Sequence, residues 1–186
     1  MDVYTTSGEL SLKRENWRQA GMKVGLVPTM GALHAGHLSL VEAMSAQADK
    51  IIVSLFVNPT QFSEGEDFDA YPRSTEDDLQ KLQGTKANIV FMPDASEIYG
   101  DAVTASLQAG NLGDGLESET RPHFFSGVVT VVHKLFELCQ PDAAIFGEKD
   151  YQQLLVIKQM VATNDMKIEI LQRSEEHTSE LQSPMY

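Results

Sequence analysis

The sequence predicts an α/β protein of the doubly wound type, a parallel sheet covered by helices on both faces. Three observations carry this reading. Strand-like and helix-like stretches alternate from Val24 to Leu171. Ile51 to Val57 is a continuous apolar run, as a central parallel strand buried on both faces requires. A Gly-containing turn, Pro28 to His37, joins an apolar strand to a helical pattern. In such folds ligands bind beyond the carboxyl ends of the strands.

The elements follow in order. Thr6 and Glu9 have capping-box spacing and open a short helix that ends near Gly21. Val24 to Val27 reads as the first strand. Leu38, Leu40, Val41 and Met44 set a helical period that runs to about Ala48. Asn58-Pro59 breaks the strand begun at Ile51. A polar loop rich in Glu and Asp spans 63–72. Ser74 to Gln83 reads as a helix with Ser74 as cap and acidic residues in its first turn. Ile89 to Met92 is a strand stopped by Pro93, and 100–122 is mostly loop, with an edge strand near Val103. Gly127 to Cys139 has valines that favour strand and a length that favours helix; because it joins two strands it is assigned as helix. Ala143 to Phe146, Asp150 to Asn164 and Lys167 to Leu171 complete the pattern as strand, helix and strand.

The chain has 186 residues, which suits one medium domain, or one domain with part of a second. Hydrophobic residues make up 42%, enough for a core. The net charge of -13 repels phosphate backbones and argues against nucleic-acid binding. Cys139 is the single cysteine, so an internal disulfide and a Cys-based zinc site are ruled out, and its apolar neighbours mark it as an inert core thiol. No apolar run is long enough to span a bilayer, and Met1 to Tyr4 lacks the features of a signal peptide. The expectation is a cytoplasmic protein that does not bind membranes.

Chemistry is expected at three turns. After Val27 the chain reads Pro28-Thr29-Met30-Gly31-Ala32-Leu33-His34-Ala35-Gly36-His37. With a helix starting near Gly36, backbone N–H groups and the helix dipole would face an anion. Two imidazoles there can donate hydrogen bonds to phosphoryl oxygens as charge builds on them. Two histidines flanking a glycine on such a turn outweigh the plain alternative of surface histidines. A zinc site lacks an evident third ligand. After Val57, Asn58 and Gln61 are neutral groups that both donate and accept, and so suit a small hydroxy acid. After Phe146 the chain reads Gly147-Glu148-Lys149-Asp150-Tyr151-Gln152-Gln153. Lys149 is a mobile point charge suited to phosphate, although spacing alone equally allows a surface ion pair. Asp150 is placed to cap the following helix.

The H-x-G-H string resembles the nucleotidyltransferase superfamily, and the longer Pro-Thr-Met-Gly-Ala-Leu-His-x-Gly-His string resembles the pantoate–β-alanine ligases, or pantothenate synthetases, in particular. Ser54 to Phe62 and Phe146 to Gln153 match the same family, in the right order and on the right turns. Asp69 to Arg73 and Arg121 to Val128 match more weakly and receive no catalytic roles. The resemblance implies a Rossmann-like nucleotide-binding domain over 1–171. It also implies ATP-dependent condensation of (R)-pantoate with β-alanine through a pantoyl-adenylate, in pantothenate biosynthesis on the way to coenzyme A. Met30, Gly31, Ala32, Leu33, His34, Ala35, Gly36 and His37, with Gly147, Glu148, Lys149 and Asp150, would contact ATP. His37, His34 and Lys149 would act on the phosphoryl group. Gln61 would hold pantoate beside β-alanine and Gln153 would bind pantoate, with Asn58 a further candidate substrate contact. Mg²⁺ is expected with ATP, no metal held by the protein is assigned, and a homodimer is implied by the family alone.

Beyond Leu171 the family continues with another strand, a Ser-Ser-Arg-Asn loop that closes over the phosphates, and a C-terminal lid domain. Residues 172–186 show none of this, and Arg173 to Ser183 resembles a translated sequencing adapter. The expectation is therefore the N-terminal domain only, with the lid domain missing. Alternatives for the chain itself are an inactive nucleotide-binding fragment or another H-x-G-H nucleotidyltransferase.

Overall fold

The computed structural model describes residues 1–58, 75–100, 124–148 and 151–174. Its elements are β1 (Asp2–Tyr4), α1 (Ser7–Gln19), β2 (Val24–Thr29), α2 (Ala35–Ser45), β3 (Lys50–Leu55) and α3 (Thr75–Gln83). Then come β4 (Ile89–Phe91), α4 (Ala95–Tyr99), α5 (Phe124–Cys139), β5 (Ala143–Gly147), α6 (Tyr151–Thr163) and β6 (Glu169–Arg173). The six strands form one sheet in the order β1-β4-β3-β2-β5-β6, and every pairing is parallel. The expected doubly wound architecture is present.

Strand periodicity builds two cores, because successive side chains point to opposite faces. Val24, Leu26, Ile52, Ile89, Phe91, Ala144 and Phe146 face one way and pack with α1, α4, α5 and α6. Val27, Ile51, Val53, Val90, Ala143 and Ile145 face the other way and pack with α2 and α3. Gly25 lets α2 approach closely: a Cβ there would lie 2.3 Å from Met44 Sδ and 3.1 Å from Ala48 Cβ. Arg14 of α1 is buried and its Nε donates to the carbonyls of Cys139 (3.1 Å) and Gln140 (2.8 Å), holding α1 against the end of α5. Cys139 is fully buried, and that burial pushes its thiol pKa up, so it stays protonated and inert as expected.

Several boundaries differ from the sequence reading. β1 was not anticipated, so the turn expected after the first strand follows the second. Three residues are too few to show an alternating pattern, and β1 exists because its backbone pairs with β4. The five-residue helix α4, capped by Asp94, was likewise hidden behind Pro93. α5 starts at Phe124 rather than Gly127 and is helical despite its valines, because Phe125, Val128, Val129, Val132, Leu135, Phe136 and Cys139 form one buried helical stripe. β6 continues through Gln172 and Arg173, which pair with Phe146 and Gly147. A strand ladder uses backbone groups, so these two residues join it without apolar side chains. The polar loop at 63–72, the Ser74 cap, the Val103 strand and the rest of the tail lie outside the described residues.

Candidate active site at the carboxyl ends of the central strands

The chain runs outward from β2 to β3 and β4 on one side, and β5 then joins the other side of β2. The topological switch point therefore lies between β2 and β5. The turn after Thr29 opens there, flanked by the turn after Leu55 and the turn after Gly147. The carboxyl ends of three strands far apart in the chain thus lie at one end of the sheet.

The central turn is shaped from several sides. Thr29 Oγ1 donates to Ser54 O at 2.8 Å, tying the end of β2 to β3. Gly31 takes φ +81° and Ala32 φ +50°. A side chain in the left-handed region costs roughly 1–2 kcal/mol, so Ala32 needs support. Asp78 of α3 supplies it, accepting from Ala32 N–H (2.9 Å) and Leu33 N–H (2.7 Å). Lys81, one turn further along α3, donates to Leu33 O at 2.8 Å. Sequence reasoning placed Asp78 in an acidic first turn serving the helix dipole. The structure keeps Asp78 in that first turn and adds a second role: it is 2% exposed and committed to the turn after β2. Nothing local in the sequence marks that partnership, which spans 45 positions.

His34 is the N-cap of α2. Its Nδ1 accepts from Gly36 N–H at 3.1 Å, and His37 Nδ1 accepts from His34 N–H at 3.2 Å. The two histidines thus form a reciprocal capping box, with ring nitrogens where Ser and Glu oxygens usually serve. A ring whose Nδ1 accepts a hydrogen bond is neutral and carries its proton on Nε2. Both rings are therefore oriented as Nε2–H donors, with centroids 4.0 Å apart. His37 is 2% exposed, and its pKa falls to about 3 through burial first, then the nearby His34 and Lys81. Its Nε2 has no partner among the described residues.

One expectation needs correction here. The backbone N–H groups of this turn were expected to face an anion. Those of Ala32, Leu33, His34 and Gly36 are instead taken by Asp78, His37 and His34. These four N–H groups are thus committed within the turn, and the Nε2 atoms of both imidazoles are buried. Met30 and Leu33 are buried in the apolar cores, and Ala35 opens α2.

The flanking turns divide. Asn58 is fully buried; its Nδ2 donates to Gly127 O at 3.0 Å, and its Oδ1 accepts from Tyr99 O–H. The structure therefore gives Asn58 a tie between β3, α4 and α5. Gly147 ends β5, and Glu148 accepts from Gln172 at 3.2 Å. Gln153 of α6 is 2% exposed. Gln61, Lys149, Asp150 and the strings at 69–73 and 121–123 lie outside the described residues. Beside the central turn is a cavity of about 340 Å³, lined by Met30, Gly31, Phe56, Val57, Asp78 and Asp94 among others. That is within the size range of small-molecule sites.

Comparison with known proteins agrees with this arrangement. Residues 2–177 match the family described as Pantoate-beta-alanine ligase. The chain belongs to that family. The pantothenate synthetase of Maricaulis maris is 50% identical over 167 residues, covering 90% of this chain and 58% of the relative. That of Mycolicibacterium smegmatis is 47% identical, covering 92% and 55%. Among solved structures, the Thermus thermophilus pantothenate synthetase superposes with a TM-score of 0.85 at 42% identity, covering 94% of this chain and 62% of that one. The Francisella tularensis pantoate-beta-alanine ligase, solved with β,γ-ATP and β-alanine, gives 0.90 at 35% identity, covering 96% and 69%. The chain thus spans somewhat more than half the length of these pantoate–β-alanine ligases. No helix among the described residues is long and apolar enough to cross a membrane.

Proposed function

We propose that this chain carries the nucleotide site of an ATP-dependent ligase that joins (R)-pantoate to β-alanine. The pair of histidines held as Nε2–H donors at the β2/β5 switch point is the observation that carries the reading. Pantoate's carboxylate attacks the α-phosphorus of ATP, and pyrophosphate leaves. The β-alanine amine then attacks the acyl carbon of pantoyl-adenylate, and AMP leaves. The anhydride supplies the leaving group that a free carboxylate lacks.

His34 and His37 hydrogen-bond the phosphoryl oxygens as charge grows on them. With a pKa near 3, His37 does so as a neutral donor and not as an acid. Lys149 neutralises phosphate charge, Gly147 to Asp150 border the nucleotide, and Gln61 and Gln153 hold pantoate. Asn58 acts through Tyr99 and Gly127. Among the described residues no three His, Cys, Asp or Glu are grouped to hold a metal. Mg²⁺ is expected to accompany ATP, where it would screen the phosphate charge. A cytoplasmic location, where ATP is supplied, and a homodimer complete the proposal; light scattering checks the second.

The test uses pantoate labelled with ¹⁸O in its carboxylate, together with ATP, Mg²⁺ and β-alanine. Adenylate chemistry places one labelled oxygen in AMP for each pantothenate formed; label absent from AMP rejects it. Because the chain covers 58% of the Maricaulis relative, a second reading is nucleotide binding without turnover. Saturable ATP binding with no product would select that one.

A further inference from the structure

We propose that Asp78 is a positioning residue for catalysis, setting the tautomer and aim of the His34/His37 pair from α3, across the turn. The inference rests on the reading of that pair given above. Asp78 sits 2% exposed at the start of α3, and its two oxygens accept from two consecutive N–H groups. A buried carboxylate is expensive unless its hydrogen bonds are complete. This one spends both on Ala32 and Leu33, the two residues before the N-cap. Lys81 grips the Leu33 carbonyl from the same helix, so Leu33 is held at both ends of its backbone.

The next link is His34 itself. Its N–H must point at His37 Nδ1 for that ring to hold its proton on Nε2. The direction of that N–H is set by the peptide plane between Leu33 and His34. Lys81 fixes the carbonyl of that plane, and Asp78 fixes the residue leading into it. Release of the brace lets the plane rotate, His37 loses its acceptor role, and its proton distributes between the two ring nitrogens. The donor then no longer faces the phosphate consistently. Gly31 belongs to the same device, since a Cβ there would lie 3.2 Å from Asp78 Oδ2.

The experiment is ¹⁵N NMR of histidine-labelled full chain, with ATP–Mg²⁺ titration on the same samples. Wild type shows His34 and His37 as Nε2-protonated tautomers. Asp78→Asn keeps the size but accepts through only one atom, and its amide faces the other N–H. The His37 signal is expected to move toward a tautomer mixture, and Kd for ATP to rise about tenfold. A merely structural carboxylate would lower the urea midpoint without moving the tautomer. If Asp78→Asn does not fold, Lys81→Met, which keeps the carboxylate and frees only the Leu33 carbonyl, is read the same way, with a rise of roughly threefold. Wild-type tautomer signals in a folded Asp78→Asn, or in Lys81→Met where that is the variant read, overturn the proposal. A tautomer change in protein whose wild type binds no ATP leaves the brace standing and removes the nucleotide reading instead.

Discussion

His37 makes the stability of the protein depend on pH in a way that a single substitution can isolate. Its pKa is 6.5 in an ordinary setting and about 3 in the fold, because a buried ring beside His34 and Lys81 resists a positive charge. The unfolded chain therefore binds one more proton than the native protein between those values. Stability from this source is complete above pH 6.5, falls as pH drops through 6.5, and levels out near 3. The slope is about 1.4 kcal/mol per pH unit, so about 2.7 kcal/mol is lost by roughly pH 4.5. In His37→Asn, Oδ1 takes the place of Nδ1 and still accepts from His34 N–H, but position 37 no longer titrates. Urea unfolding followed by circular dichroism at about pH 7 and about pH 4.5 compares the two proteins. Other carboxylates titrate equally in both, so the acid-induced loss is expected to be smaller in the variant by about 2.7 kcal/mol. Equal losses would show that His37 is hydrated or protonated in the native protein, and the neutral-donor mechanism would fall with that result.

Three further outcomes are expected. His34→Ala and His37→Ala each remove one donor to a charged phosphate, worth about 1.5–3 kcal/mol, and should raise the calorimetric Kd for ATP by roughly 10- to 100-fold; unchanged affinity would move the nucleotide away from this turn. Gly25→Ala places a methyl 2.3 Å from Met44 Sδ and should cost about 1–3 kcal/mol in chemical denaturation, part of it recovered by adding Met44→Ala. Chelating Mg²⁺ should weaken ATP binding in an isothermal titration, since the imidazoles are neutral donors and Lys149 alone would leave most of the phosphate charge uncompensated; affinity independent of Mg²⁺ would require protein cations at the phosphates beyond Lys149.

The sequence displayed the parts of this fold that have local causes. The Thr6/Glu9 box, the strand within the run from Ile51 and the helix opening at the H-x-G-H turn each state their structure within ten residues, and each element is present near where it was read. The elements that were missed have partners far away. β1 is held by β4, 87 positions later in the chain, and carries no pattern of its own. Asp78 looked like an ordinary acidic residue in a helix N-terminus because its partners are Ala32 and Leu33. The same distance explains Asn58, whose strand-end position suggested a substrate contact while Tyr99 and Gly127 take up its amide. Local sequence gives the donor types at a site, but which donors remain free is decided by contacts across the sheet.

That distinction changes the electrostatics of the proposed reaction. A helix N-terminus with free N–H groups would offer fixed partial positive charge to ATP. Here the N–H groups of Ala32, Leu33, His34 and Gly36 are taken up internally, one buried carboxylate stands behind the turn, and burial holds His37 neutral. Such a turn contributes direction more than charge. It prefers an oxygen within reach of an Nε2–H over one placed elsewhere, and it gains most when that oxygen becomes more negative. A tetra-anion needs its countercharge from elsewhere, which in the proposed reaction falls to Mg²⁺ and Lys149. Orientation and charge are then supplied by separate groups. A neutral donor pair also leaves less electrostatic attraction holding pyrophosphate and AMP after each step, so the contacts that sharpen the transition state add little to product retention.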